Sequence, residues 1–81
     1  MSTTSEDDLL RVIEKALESG SGSVGPEARA EDVEGWDSLG HLSILTALDV
    51  LFEGKVGGIE ELASTTSVRE ILAALRRHSL M

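Results

Sequence analysis

Ser38 is the residue whose type and position in this sequence best suit covalent chemistry. It follows Trp36 and Asp37 and opens an apolar run with helical periodicity, which predicts a hydroxyl in the first turn of a helix. Backbone N–H groups at a helix start bind anions, so a phosphate on that hydroxyl would meet partial positive charge. The alternative is that Ser38 or Asp37 only caps the helix, the commonest reason to find either residue type there.

Few other residues could do chemistry. The chain of 81 residues contains no cysteine, which excludes disulfides, thiolate metal clusters and cysteine nucleophiles. Its two histidines, His41 and His78, are isolated and do not form a metal site. No calcium loop or phosphate-binding loop is present, and no pair of groups could serve as base and nucleophile. The sequence therefore predicts a protein that is not an enzyme and holds no metal.

The charge balance is strongly acidic, with a net charge of −8 from 15 acidic and 7 basic residues. Nucleic acid is not an expected partner, since binding to a phosphate backbone relies on Lys and Arg, whereas basic protein partners are favoured. No basic segment precedes an apolar stretch at the start, and no apolar run approaches the roughly 20 residues of a membrane span. We expect a single domain over 1–81, monomeric and cytoplasmic, without a signal sequence or a membrane span.

Helical periodicity covers both ends of the chain. A first helix is predicted from about Glu6 to Glu18, capped by Ser5 or Thr4 and ended by the Ser/Gly stretch over 19–22. Its core face carries Leu9, Leu10, Val12, Ile13, Ala16 and Leu17. A long loop over 19–36 follows, and four of its side chains could pin it to the helices: Val24, Ala28, Val33 and Trp36.

The second helix is predicted to start at Asp37 or Ser38 and to end near Glu53, just before Gly54. One face is apolar and should meet the core: Ile44, Leu45, Leu48, Leu51 and Phe52. The opposite face is not cleanly polar, because it mixes aliphatic with polar residues: Leu39, Leu42, Ser43, Thr46, Asp49, Val50 and Glu53.

The remaining chain predicts a short helical turn over Ile59 to Ala63 and a last helix entered at Ser67. Ser67 and Glu70 have the spacing of a capping box before an apolar run. No segment shows sustained strand alternation. The predicted fold class is therefore all-α, with three main helices plus one short helix.

The run from Gly35 to Leu42, Gly-Trp-Asp-Ser-Leu-Gly-His-Leu, resembles the attachment motif of acyl carrier proteins. The resemblance covers nearly the whole chain, including the long loop before the serine, Phe52 closing the second helix and the entry to the last helix at 65–68. It implies a small four-helix carrier bundle of the free-standing kind found outside housekeeping fatty-acid synthesis. It also implies that Ser38 is esterified by 4'-phosphopantetheine, which would bring the thiol that this chain lacks.

The resemblance assigns partners as well. A phosphopantetheinyl transferase would install the arm from coenzyme A, helped by Asp37 and docked partly on Leu39. An acyl- or aminoacyl-loading ligase or synthase, followed by downstream transferases, would then use the tethered group at high effective concentration. Trp36-Asp37 before the serine favours an acyl cargo over an amino acid, while Gly40-His41 and the thinly acidic second helix keep an amino-acid cargo open.

The second helix departs from fatty-acid carriers, which usually line its exposed side with glutamates. Here that stretch offers Gly40, Ser43, Thr46, Asp49 and Val50. We expect docking through an apolar patch of Leu39, Leu42 and Val50, with Asp49 and Glu53 at its edge, and partners unlike those of fatty-acid synthesis. The alternative is that these aliphatic residues are ordinary exposed side chains.

Two more residues near the motif have alternative interpretations. His41 could line the mouth where the arm lies, or it could be a structural hydrogen-bonding residue. Trp36 is interpreted as a packing anchor for the first loop rather than a ligand platform. For the whole chain, the competing hypothesis is a helical interaction module without a prosthetic group, binding a partner through Leu39, Leu42 and Val50.

Overall fold

The computed structural model describes residues 5–18 and 24–80, and in these segments the fold is all-α. Three α-helices follow one another: α1 over Glu6–Ala16, α2 over Ser38–Leu51 and α3 over Val68–Arg77. Two short 3₁₀ helices lie between them, the first over Ala30–Asp32 and the second over Glu60–Ser64. The described residues form no strand, only one isolated bridge between Arg29 and Ser67. The predicted class and the three main helices are confirmed.

α1 starts where a reciprocal pair of hydrogen bonds caps it. Ser5 Oγ accepts a bond from the Asp8 N–H at 3.2 Å, and the Asp8 carboxylate accepts one from the Ser5 N–H at 3.2 Å. The helix ends at Ala16, two residues before the predicted end, and Glu18 then adopts a left-handed φ of 57°. Ser5 is thus the cap, while Thr4 and the Ser/Gly stretch over 19–22 lie outside the described residues.

The core is built from aliphatic side chains contributed by all three α-helices and by the second 3₁₀ helix. The largest fully buried residues are Leu9, Ile13, Ile44, Leu48, Leu62, Val68, Ile71 and Leu75. Phe52 is also buried, and Leu45 and Leu51 pack against this cluster half-buried. The predicted core faces of α1 and α2 are therefore confirmed. No helix within 5–18 and 24–80 is long and apolar enough to cross a bilayer.

The segment from Val24 to Trp36 is held against the helices by burial and by backbone hydrogen bonds. Val24 and Trp36 are buried, and Ala28 and Val33 are half-buried, as predicted for this loop. The buried carboxylate of Glu14 accepts a hydrogen bond from the Val24 N–H at 3.1 Å. Farther along, Ala30 N–H donates to Thr66 O and Val68 N–H donates to Ala28 O, at 2.8 and 3.0 Å. The chain before α2 is thus tied to both α1 and the start of α3.

α2 ends at Leu51, two residues before the predicted end. Phe52 caps it by donating its N–H to Leu48 O at 2.9 Å, and Glu53 and Gly54 then take left-handed φ values of 56° and 84°. Gly54 suits this position because glycine has no Cβ to strain it.

The cap of α3 differs from the predicted capping box. Ser67 Oγ accepts a hydrogen bond from the Glu70 N–H at 3.1 Å, as expected. The Glu70 carboxylate does not return to Ser67. It accepts instead from the Thr66 N–H at 2.6 Å and from the Thr66 hydroxyl at 3.0 Å. The reciprocal half of the prediction is wrong because Thr66 offers two donors to one carboxylate oxygen.

The bonds to Glu70 predict a measurable pH dependence. Hydrogen bonds from the Thr66 backbone N–H and hydroxyl hold the pKa of Glu70 below its ordinary value of 4.5. Because the folded-state pKa is lowered, the stabilisation is complete above the unfolded-state pKa and is lost as the pH falls through the folded-state value. Glu70→Gln is therefore expected to unfold more readily than wild type at neutral pH, with a difference that closes below about pH 4.5. Urea unfolding at several pH values measures this, and a difference independent of pH would contradict it.

Candidate functional site

Ser38 is the first residue of α2, and its side chain is exposed. Asp37 is the residue that caps the helix: its Oδ1 accepts a hydrogen bond from the Gly40 N–H at 2.9 Å. Among residues 5–18 and 24–80, the Ser38 hydroxyl has no hydrogen-bond partner. The capping interpretation therefore holds for Asp37 and is wrong for Ser38, whose hydroxyl stands uncommitted at the surface.

The electrostatic surroundings of Ser38 suit a negatively charged group. The first turn of α2 contains no acidic residue, whereas the first turn of α1 contains three: Glu6, Asp7 and Asp8. In α1 these acids already occupy the positive end of the helix dipole. In α2 that end is countered by the Asp37 cap alone, so a phosphate on Ser38 would meet amide dipoles without a second carboxylate in the turn.

Two aromatic rings lie beside Ser38 and are hydrogen-bonded to each other. The Trp36 Nε1–H donates to Nδ1 of His41 at 3.1 Å, and the ring planes are 14° apart with centroids separated by 6.2 Å. The other imidazole nitrogen, Nε2, lies 2.8 Å from the backbone oxygen of Leu62, in the second 3₁₀ helix. The Thr65 hydroxyl donates to the same oxygen at 2.7 Å. His41 thus connects the start of α2 with the segment that precedes α3.

A cavity of about 320 Å³ opens next to the Ser38 hydroxyl. It lies between the first part of α2, the end of the second 3₁₀ helix with the two residues Thr65 and Thr66, and two residues of the loop before α2, Ala30 and Trp36. Its lining is mixed, with aliphatic side chains beside polar ones: Ala30, Trp36, Asp37, Ser38, His41, Leu42, Leu45, Ala63, Thr65 and Thr66. A group tethered to Ser38 would find space here that is neither fully apolar nor charged throughout.

Gly40 serves the packing of the site rather than its surface. A Cβ built on Gly40 would lie 2.0 Å from the carbonyl oxygen of Gly35 and 2.9 Å from Cδ2 of Leu17. Gly35 itself has a φ of 91°, which favours glycine. The backbone before the motif therefore crosses directly over the first turn of α2. Gly40, which the sequence places on the exposed side of α2, is only half-exposed, because the preceding loop fills the space beside it.

The predicted apolar patch is exposed. Leu39, Leu42 and Val50 are 75%, 60% and 75% exposed to solvent. Between them, the Thr46 hydroxyl donates to Leu42 O at 3.0 Å, so its hydrogen-bonding group is turned back to the helix. Together with α1 residues this face borders a groove of about 720 Å³, lined by Val12, Lys15, Ala16, Leu39, Leu42, Ser43, Thr46, Ala47, Val50 and Leu51. We call the exposed surface of Leu39, Leu42 and Val50 the α2 face.

The two acids predicted at the edge of the α2 face are exposed but differ in setting. Asp49 lies within α2, and its backbone oxygen accepts from the Gly54 N–H at 2.7 Å. Glu53 lies beyond the helix in a left-handed conformation, so it projects from the turn rather than from the helical surface. The charged border of the α2 face is therefore as sparse as the sequence predicts.

Some functional neighbours of Ser38 were not predicted. Thr65 and the backbone oxygen of Leu62 meet His41, yet both come from segments that the sequence places only as a short turn and a helix entry. His78 also has a partner, since its Nε2 lies 3.0 Å from a carboxylate oxygen of Glu61, which Arg77 binds as well. In the described part of the chain, no cluster of three or more His, Asp or Glu side chains could hold a metal ion.

Comparison of this chain with protein-family models, with curated proteins and with solved structures gives no match.

Proposed function

We propose that this protein is a carrier that holds acyl or aminoacyl groups as thioesters on a 4'-phosphopantetheine arm attached to Ser38. One observation carries the proposal. The Ser38 hydroxyl is exposed and uncommitted at the first residue of α2, while Asp37 performs the capping that would otherwise explain a serine there. A serine with no packing or capping role, placed where a phosphate is electrostatically favoured, suits covalent modification.

The residues present fit a phosphopantetheine arm. When bound, the arm would supply the thiol that forms the thioester, a group absent from a chain without cysteine. Ser38 Oγ would hold the phosphate beside the amides of the first turn, and Asp37 would keep that turn helical. Leu42, Leu45 and Ala63 would give the proximal part of the arm apolar contact in the adjoining cavity.

The order of elements supports assignment to the carrier bundle. Three α-helices and a short helical segment before the last one are the number and sequence of elements that the resemblance implies. We propose that this bundle acts as a cytoplasmic monomer and catalyses no reaction itself. A phosphopantetheinyl transferase would load it, and a ligase or synthase and downstream transferases would use it.

The α2 face is the proposed docking surface for these partners. Its leucine and valine side chains are exposed, and a partner would remove this apolar area from water. Lys15 of α1 is the one charged residue among those that line the groove beside them. The adjoining groove offers a concave surface that a protruding apolar side chain of a partner could fill. Asp49 and Glu53 at its end favour a basic residue on the partner at that position.

A charge placed in the α2 face is expected to impair docking. Val50→Glu should raise the KM of the cognate loading ligase for the carrier about tenfold, because the new carboxylate would have to be desolvated in the interface. The chemical step occurs at the distant end of the arm, so kcat should change little. Initial loading rates at several carrier concentrations measure both constants.

Ala73→Glu provides the matched control for this experiment, since it adds the same charge at an exposed position on α3. It is expected to leave the KM within about twofold of wild type, as surface substitutions outside an interface have small effects. Equal KM values for wild type and Val50→Glu would contradict docking through this face.

A helical interaction module without a prosthetic group is the second candidate, and it is favoured by the same exposed α2 face. The two functions differ in one measurable property. Incubation with coenzyme A and a promiscuous phosphopantetheinyl transferase should increase the mass of the carrier by one phosphopantetheine. An unchanged mass under conditions that modify a known carrier would contradict the proposed function and leave the interaction module.

A further inference from the structure

The turn that bears Ser38 is not held by burial of its own side chains. Asp37, Ser38 and Leu39 are all exposed, so within the first turn of α2 only Gly40 is packed closely, against Gly35 and Leu17. Helix ends fray when little anchors them beyond their own hydrogen bonds. The hydrogen bonds of neighbouring residues must therefore help to set the direction in which the Ser38 hydroxyl points.

The hydrogen bonds of His41 indicate which ring nitrogen carries a proton. The indole N–H of Trp36 can only donate, so Nδ1 of His41 must be the acceptor and carry no proton. The backbone oxygen of Leu62 can only accept, so Nε2 must carry the proton. Thr65 is compatible with this tautomer. Its hydroxyl donates to Leu62 O, so its oxygen can still accept from the Nε2–H of His41, 3.4 Å away. Both polar atoms of the ring are thus engaged in the neutral Nε2–H form.

His41 lies close to Ser38, so its hydrogen bonds act on the turn that bears the serine. His41 follows Ser38 by three residues, so the two side chains lie on one face of α2, one turn apart. Trp36 lies two residues before Ser38 and is buried. The bond to Leu62 crosses from α2 to the second 3₁₀ helix, 21 residues farther along the chain. The Ser38 turn therefore has Trp36 before it and His41 after it, and the bond from His41 ties the turn to the second 3₁₀ helix.

We propose that His41 is a positioning residue: in its Nε2–H form it fastens the first turn of α2 to the second 3₁₀ helix and so fixes how Ser38 is presented for modification. This inference rests on the proposed function, because modification of Ser38 is the event that it assists. His41 also lines the cavity beside Ser38, together with its partners Trp36 and Thr65.

Three substitutions separate the two bonds of His41. His41→Gln places an amide N–H near the position of Nε2 and can keep the bond to Leu62. His41→Asn places an amide oxygen near the position of Nδ1 and can keep the bond to Trp36. His41→Ala keeps neither. With a promiscuous phosphopantetheinyl transferase and coenzyme A, we expect kcat to fall about tenfold in the Ala and Asn variants and to stay within about threefold of wild type in the Gln variant. The KM for the carrier should change little in all three, since the α2 face is intact.

Each outcome decides the inference. Equal kcat values for Gln and Asn variants of equal thermal stability, or a wild-type kcat for His41→Ala, would overturn it. Nitrogen NMR of the unmodified wild-type protein at neutral pH gives a second readout that needs no variant to fold: a proton on Nδ1 would overturn the inference, and a proton on Nε2 is expected. A wild-type protein that accepts no arm at all overturns the proposed function instead, and the NMR result then still decides how the Ser38 turn is fastened.

Discussion

Ser38→Ala is expected to accept no phosphopantetheine under conditions that modify wild type completely. In the proposed function the arm is joined through the serine oxygen, and alanine has no atom to replace it. The substitution should not disturb the fold, because the Ser38 side chain is exposed and Asp37 supplies the helix cap. Intact-protein mass spectrometry gives the result directly, and circular dichroism verifies that the variant remains helical.

Ser64→Ala is the matched control for this result. Ser64 is also an exposed serine, but it lies in the second 3₁₀ helix rather than at the first residue of α2. This variant should accept one arm at about the wild-type rate. Modification of Ser38→Ala to the wild-type extent would place the attachment elsewhere and contradict the assignment of Ser38.

Gly40→Ala is expected to destabilise the fold by about 2–3 kcal/mol, although alanine ordinarily stabilises a helix relative to glycine. The sign is reversed because the new Cβ would stand 2.0 Å from the Gly35 carbonyl oxygen. That oxygen is backbone and cannot swing away like the end of a side chain. Relief of the clash must shift the chain at Gly35, which leads through Trp36 and Asp37 to Ser38, so the rate of modification should fall as well.

Urea unfolding followed by circular dichroism measures this effect, and Gly58→Ala is its control. A Cβ on Gly58 would have no neighbour within 4 Å, and its backbone lies outside the left-handed region. Gly58→Ala should change the free energy of unfolding by at most about 1 kcal/mol. A Gly40→Ala variant at least as stable as wild type would show that the loop and α2 do not approach as closely as described.

Periodicity and caps predicted the helices because these features act within a few residues of the chain. The spacing of Leu9 and Ile13 is a local signal of one buried face. Ser5, directly before α1, caps the helix together with Asp8, three residues later. The same holds for α2 and for the exposed Leu39, Leu42 and Val50 opposite its core face. The helix ends were predicted less accurately, since the end of α2 depends on a left-handed backbone at Glu53 as well as at Gly54.

The arrangement around Ser38 could not be predicted, because its contacts join residues far apart in the chain. The sequence places Gly40 on the exposed side of α2, but the carbonyl oxygen of Gly35 occupies the space where its side chain would be. His41 had two open interpretations, and its bond to Leu62 O, 21 residues away, shows a structural hydrogen-bonding residue that also lines the cavity beside Ser38. Glu70 shows that prediction can fail even within one turn: Thr66 and Ser67 both offer donors to its carboxylate, and the carboxylate binds Thr66.

The buried indole described above gives the protein a built-in optical probe. Trp36 is the only tryptophan, and the chain contains no tyrosine, so near-ultraviolet emission reports from a single point. That point lies two residues from Ser38 and is hydrogen-bonded to His41. Events at the serine can therefore be followed in the native chain without an attached dye.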